Sequence, residues 1–222
     1  MNPLVAALDT PDLDRLGALA GDLGPSVGYL KVGLEAYTAH GPAAVAAAAA
    51  HARVFLDVKL HDIPTTVAGA ARVAADLDVD LLTVHASGGT AMIAAAAEAA
   101  PDVGILAVTV LTSLDDAALA EVGQGPAEEQ VVRLAALAFA AGAAGVVCAV
   151  SEARAVRAAV GPAALVVTPG IRLAGAGHDD QARVATPRAA IDQGASHLVV
   201  GRALTQAGDP AAVARAILED LA

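Results

Sequence analysis

Short runs rich in Val, Ile and Leu recur along the chain, each followed by a longer stretch in which apolar positions return every three to four residues. The first pattern suits a buried strand and the second an amphipathic helix, so the alternation predicts successive βαβ units. Strands are predicted at Leu4–Leu8, Gly28–Val32, Val54–Val58, Leu81–Val84, Ile105–Val110, Gly145–Val147, Leu165–Val167 and His197–Val200. Thr10-Pro11, Thr186-Pro187 and Asp209-Pro210 each set a capping side chain before a proline suited to the first helical position. Val213, Ile217 and Leu221 share one face of the last helix. Eight parallel units with right-handed crossovers close most naturally into an α/β fold of the (β/α)8 TIM-barrel type. A flat doubly wound sheet is the alternative. It calls for a glycine fingerprint after the first strand, and that turn reads Asp9-Thr10-Pro11-Asp12.

Composition narrows the picture. With 222 residues, 56% of them hydrophobic, and no linker or shift in composition, the chain is expected to form a single domain over 1–222. A net charge of −11 repels nucleic acids and anionic membranes, and few aromatic rings are present to stack on bases, so neither partner is expected. The alanine-rich run at 43–50 is too short to span a bilayer, and the start of the chain lacks a charged segment before a long apolar run. Cytoplasmic localisation is therefore expected. Cys148 is the single cysteine, so an internal disulfide and a multi-cysteine metal site are excluded, and its apolar neighbours suggest a core position. The histidines show no close ligand spacing, and no metal is expected.

In a barrel of this kind, the polar residues that close each strand gather at one mouth. They are Asp9, Lys31, Asp57, Lys59, His85, Thr112 and the pair Gly201-Arg202. Alternation along the strand puts Asp57 and Lys59 on one side, and the interior is favoured because outward placement would bury both charges against apolar helices. With Lys31 on the neighbouring strand and Asp62 just beyond, the charges would alternate, holding Lys59 as an ammonium between two carboxylates. Gly201 leaves its N–H open and Arg202 can form charge-assisted bonds, which suits a phosphate after strand 8. A structural ion pair at Asp57 and Lys59, a surface role for Arg202, a packing or loop role for His61 and a supporting or core role for His85 are the plainer readings of these residues one at a time. The stretch from Gly170 to Ala185 has no clear periodicity and is expected to be a functional lid.

The segment Asp57-Val-Lys-Leu-His-Asp-Ile-Pro64 resembles the motif of the orotidine 5'-phosphate decarboxylase family. Further segments agree in order: Leu-Asp at 8–9, Lys-Val-Gly at 31–33, Val-His-Ala-Ser-Gly-Gly at 84–89, Ala-Val-Thr-Val-Leu-Thr-Ser at 107–113, Thr-Pro-Gly-Ile-Arg at 168–172 and Val-Gly-Arg-Ala at 200–203. Thr65 stands where such enzymes often have asparagine, and His178-Asp179 alters the approach to Gln181. The resemblance implies cofactor-free loss of CO2 from C6 of orotidine 5'-monophosphate to give uridine 5'-monophosphate. It implies that Lys59 stabilises the carbanion-like centre and protonates it, that Asp57 lies beside the departing carboxylate, and that Lys31 and Asp62 orient the network. Thr112 would meet the pyrimidine, Asp9 and Thr66 the ribose hydroxyls, and Arg172, Gln181, Gly201 and Arg202 the phosphate. It also implies a homodimer in which Asp62 crosses the interface.

Two other readings compete. Related sugar-phosphate barrels share Asp-x-Lys-x-x-Asp but use magnesium with a glutamate at the strand 2 position, where Lys31 would repel the cation. A non-catalytic sensor of a phosphorylated metabolite would keep Gly201-Arg202 but leave the charge tetrad without purpose.

Overall fold

Eight parallel strands pair in chain order and close on themselves, giving a (β/α)8 TIM barrel. The structure is a computed structural model that describes residues 2–171 and 185–221. The strands are β1 (Leu4–Ala7), β2 (Tyr29–Gly33), β3 (Val54–Leu60), β4 (Val79–His85), β5 (Gly104–Val108), β6 (Gly145–Val147), β7 (Leu165–Thr168) and β8 (His197–Val200). Closure runs through β1 and β8, with Val5 opposite Val199.

Because strand side chains alternate, the barrel has two cores. Val5, Tyr29, Phe55, Leu81, Leu106 and Val167 fill the interior as a plug. Their strand neighbours, among them Leu4, Leu30, Val54 and Leu82, point outward and pack against the helices in a second, larger cluster. Among the described residues, no helix is long and apolar enough to cross a membrane.

Two helix starts follow the expected rule. Thr186 accepts from the Ala189 N–H at 3.3 Å ahead of Pro187, and Asp209 accepts from the Ala212 N–H at 2.8 Å ahead of Pro210. The first helix does not begin at Thr10-Pro11. It spans Leu13–Leu23, and its cap is Asp12, whose carboxylate accepts from the Arg15 N–H at 3.0 Å. Asp12 is itself a strong capping residue, and its extended backbone leaves Pro11 outside the helix.

Strand lengths also differ from the apolar runs. β3 continues two residues past Val58 because its pairing with β4 shifts from Leu56↔Leu82 to Leu60↔Val84. Four steps on β3 thus match two on β4, a bulge that lengthens the strand through its charged end. β5 stops at Val108, short of the expected Val110.

Candidate active site

The plug sets the floor of the site. Two positions beyond Val5, Tyr29, Phe55 and Leu106 stand Ala7, Lys31, Asp57 and Val108, which face the same side of their strands and line a cavity of about 720 Å³ at the C-terminal mouth. A volume of that size suits a small organic ligand. Of the residues singled out from sequence, Asp9, Lys31, Asp57, Lys59, Thr112, Gly201 and Arg202 all border this cavity. Asp62 and Thr66 do not border it. Both are exposed, in a run at 61–66 that leads into the helix Pro64–Asp76. Arg172 and Gln181 lie outside the described residues. The described residues on either side of them, Ile171 and Ala185, pair through an isolated bridge, with the Ala185 N–H donating to Gly170 O at 3.2 Å.

The charges form a chain. Lys31 Nζ lies 3.3 Å from Asp9 Oδ1 and 3.3 Å from Asp57 Oδ2, and Lys59 Nζ lies 2.8 Å from Asp57 Oδ1. The alternation expected from sequence is present, but within one chain its acidic end is Asp9 and not Asp62. The Asp62 carboxylate instead accepts from the neighbouring Ile63 N–H at 2.6 Å. Lys31 is nearly enclosed, its side chain 8% exposed, while the Lys59 side chain is 28% exposed. A buried ammonium such as Lys31 is tolerable because it is flanked by two carboxylates.

Asp57 is the hub. Besides both lysines, its Oδ1 accepts the Thr83 hydroxyl at 3.0 Å. Burial by itself would raise this carboxyl, but the charges of Lys31 and Lys59, with hydrogen bonds from Lys59 and Thr83, outweigh it and hold the group below the usual carboxylate range. Asp57 is therefore an anion fixed beside two cations, facing a cavity.

Gly33 is a site residue that the sequence reading did not single out. A Cβ there would stand 2.4 Å from Asp9 Oδ1 and 3.1 Å from Lys31 Nζ, so only a glycine leaves room for the Asp9–Lys31 pair. Its signal was its place at the strand's end, in Lys-Val-Gly. Thr83 was also missed, since a threonine inside an apolar run reads as an ordinary strand residue. Cys148 is buried as expected, yet it borders the cavity, and burial pushes its thiol up. His61 and His85 lie with ring centres 5.3 Å apart outside the cavity lining. His85 is shifted down by its burial and then by the nearby His61 and Lys59.

Sequence and structure comparisons place the chain among known proteins. The model of the Orotidine 5'-phosphate decarboxylase / HUMPS family matches residues 2–217. The chain is 59% identical over 221 residues to the orotidine 5'-phosphate decarboxylase of Anaeromyxobacter sp. (strain K), covering 98% of this chain and 97% of that one. It is 55% identical over 222 residues to the enzyme of the same name from Thermobifida fusca (strain YX), covering 99% and 95%. Among solved structures, orotidine 5'-phosphate decarboxylase from Lactobacillus acidophilus superposes with a TM-score of 0.88 at 35% identity, covering 99% of each chain. Spanning nearly the full length of these relatives, the chain belongs to the orotidine 5'-phosphate decarboxylase / HUMPS family.

Proposed function

We propose that the chain is a carboxy-lyase that converts orotidine 5'-monophosphate to uridine 5'-monophosphate in pyrimidine biosynthesis, with no cofactor. The observation that carries the mechanism is the Lys59 ammonium held 2.8 Å from an ionised Asp57 in the lining of the cavity. When the C6–carboxylate bond breaks, CO2 leaves and the electron pair stays on C6. A fixed cation there lowers the energy of that charge more than it lowers the substrate's, which is what accelerates the step. Lys59 then gives C6 its proton and is reprotonated from water, so the net reaction consumes one proton and releases CO2.

Asp57 lies beside the carboxylate that departs, and Lys31, tied to Asp9 and Asp57, keeps that anion in place. The remaining contacts follow the resemblance, with Thr112 at the pyrimidine, Asp9 and Thr66 at the ribose, and Gly201, Arg202, Arg172 and Gln181 at the phosphate. Gly201 and Arg202 border the same cavity as Lys59, which supports a nucleotide lying across the mouth. Asp62 enters from a second subunit of a homodimer. Its exposure, together with Ile63 at 65% exposed beside it, supports a partner surface there. A reduced cytoplasmic setting suits the lone thiol of Cys148.

The sugar-phosphate alternative would need carboxylates available to a divalent cation. Here the Lys31 ammonium sits between Asp9 and Asp57 and occupies both. The test is turnover of orotidine 5'-monophosphate by EDTA-treated protein in D2O. The expected product is uridine 5'-monophosphate carrying deuterium at C6, with an equal amount of CO2. Activity that appears only with added magnesium, or no loss of orotidine absorbance, would overturn the reading.

A further inference from the structure

The β3–β4 bulge raises a question of hydrogen bonding. Between Leu56↔Leu82 and Leu60↔Val84, three residues of β3 face a single residue of β4, Thr83. Lys59 is in this excess and adopts φ +51, a left-handed conformation that a residue with a long side chain rarely holds unless its surroundings impose it. A bulge leaves backbone groups without ladder partners. The Lys59 N–H finds one in the Thr83 hydroxyl, at 2.9 Å.

That hydroxyl is fully buried and has one proton to give. It gives it to Asp57 Oδ1, at 3.0 Å, the oxygen that also receives Lys59 Nζ. One atom therefore holds the backbone of the lysine and the carboxylate of its partner. Other buried threonines behave differently. The hydroxyls of Thr109 and Thr168 donate to the backbone carbonyls of Val147 and His197 on neighbouring strands. Among the described residues those hydroxyls bond only backbone carbonyls, whereas the Thr83 hydroxyl, which also bridges two strands, has both its partners in the reacting pair. Thr83 does not border the cavity.

We propose that Thr83 is a positioning residue for decarboxylation, its hydroxyl clamping Lys59 and Asp57 in the relative placement that the reaction at C6 requires. The inference rests on the assignment of Lys59 and Asp57 to the reacting carbon. Its mode of action is on the chemical step. Thr83 touches no ligand, so it contributes to the transition state through the fixed charges and leaves product affinity alone.

Thr83→Val keeps the shape of the side chain and removes the hydroxyl, leaving the Lys59 N–H without its partner. The single-turnover rate on orotidine 5'-monophosphate should fall by about 10- to 100-fold. The Kd for uridine 5'-monophosphate should stay within about threefold, because its contacts are elsewhere. Thr83→Ser restores the hydroxyl and should return the rate to within about threefold of the parent. A Thr83→Val rate equal to the parent's would overturn the clamp, as would parallel losses of product binding and melting temperature. Should Thr83→Val fail to fold, Thr83→Ala against Thr83→Ser gives the same contrast. Failure of both hydroxyl-free variants to fold would assign the hydroxyl to the barrel and overturn the proposal. A parent protein that leaves the nucleotide unchanged would contradict the reaction itself; an active parent matched by Thr83→Val contradicts the clamp alone.

Discussion

Lys31 Nζ stands 3.3 Å from Asp57 Oδ2, a contact that joins the ends of β2 and β3 above the apolar plug. In this register Asp57 faces Gly33, and the absence of a side chain on Gly33 is what lets Asp9 approach Lys31 from the other side. The network thus depends on a residue with no chemistry of its own.

Gly33→Ala tests that dependence. Gly33 has φ −92, so alanine fits the backbone, and the clash is with the half-exposed Asp9 carboxylate, which can swing outward. The melting temperature should stay within about 4 °C, equivalent to about 1 kcal/mol for a chain of this size. The KM for the nucleotide should rise at least about tenfold as Asp9 leaves Lys31, a shift of about 1.4 kcal/mol. An unchanged KM would show that Asp9 does its work from another position.

Arg202→Ala should lower kcat/KM for orotidine 5'-monophosphate by about 10- to 150-fold, the worth of a charged hydrogen bond of about 1.5 to 3 kcal/mol. Orotidine without its phosphate should be turned over nearly as before. Steady-state kinetics on both substrates separates this outcome from general damage, which would reduce the two equally.

How much of this was legible in the sequence depends on which property carried the information. Strand and helix order followed from hydrophobic period, and the alternation rule put Asp57 and Lys59 on one side of β3. The rule reached the right side of a strand that is not regular there, since the bulge and the positive φ of Lys59 intervene. Thr83 was not legible, because its role appears only when the register of β3 against β4 is known. Asp9 was placed at the site but not in the ion-pair chain, a fact that depends on how closely β1 and β2 approach at Gly33. The cap expected at Thr10 falls instead on Asp12, because the proline signal at Pro11 marks a helical start that the stronger capping side chain two residues on takes over.

His197 gives the barrel a pH dependence. It is 2% exposed with no hydrogen-bond partner for Nε2 among the described residues, and burial, then the charge of Arg53, pushes it down to about 4. The unfolded chain takes up this proton near pH 6.5 and the folded one only near 4, so stability is complete above the first value and declines as pH falls towards the second. The loss is on the order of 3 kcal/mol. Urea midpoints at pH 7.5 and pH 5 should differ less for His197→Leu than for the parent. Equal differences would place the acid sensitivity in other groups.

Subunit sharing is tested by mixing inactive variants. Lys59→Ala and Asp62→Ala, unfolded together in equal amounts and refolded, pair at random, and half of the dimers are mixed. Each mixed dimer would contain one site with an intact Lys59 and an intact Asp62, so activity should recover to about a quarter of the parent's. A mass tag on one variant confirms exchange. No recovery after confirmed exchange would mean that Asp62 acts in its own subunit.

The most direct measurement is the turnover of Lys59→Ala on orotidine 5'-monophosphate, taken on protein whose melting curve matches the parent's. Lys59 is assigned both the stabilisation of charge at C6 and the delivery of the proton, so its loss removes two contributions, each worth about 100-fold or more. The expected result is a kcat at least about 10,000-fold below the parent's, with uridine 5'-monophosphate still bound. A folded variant with near-parental kcat would contradict the central claim.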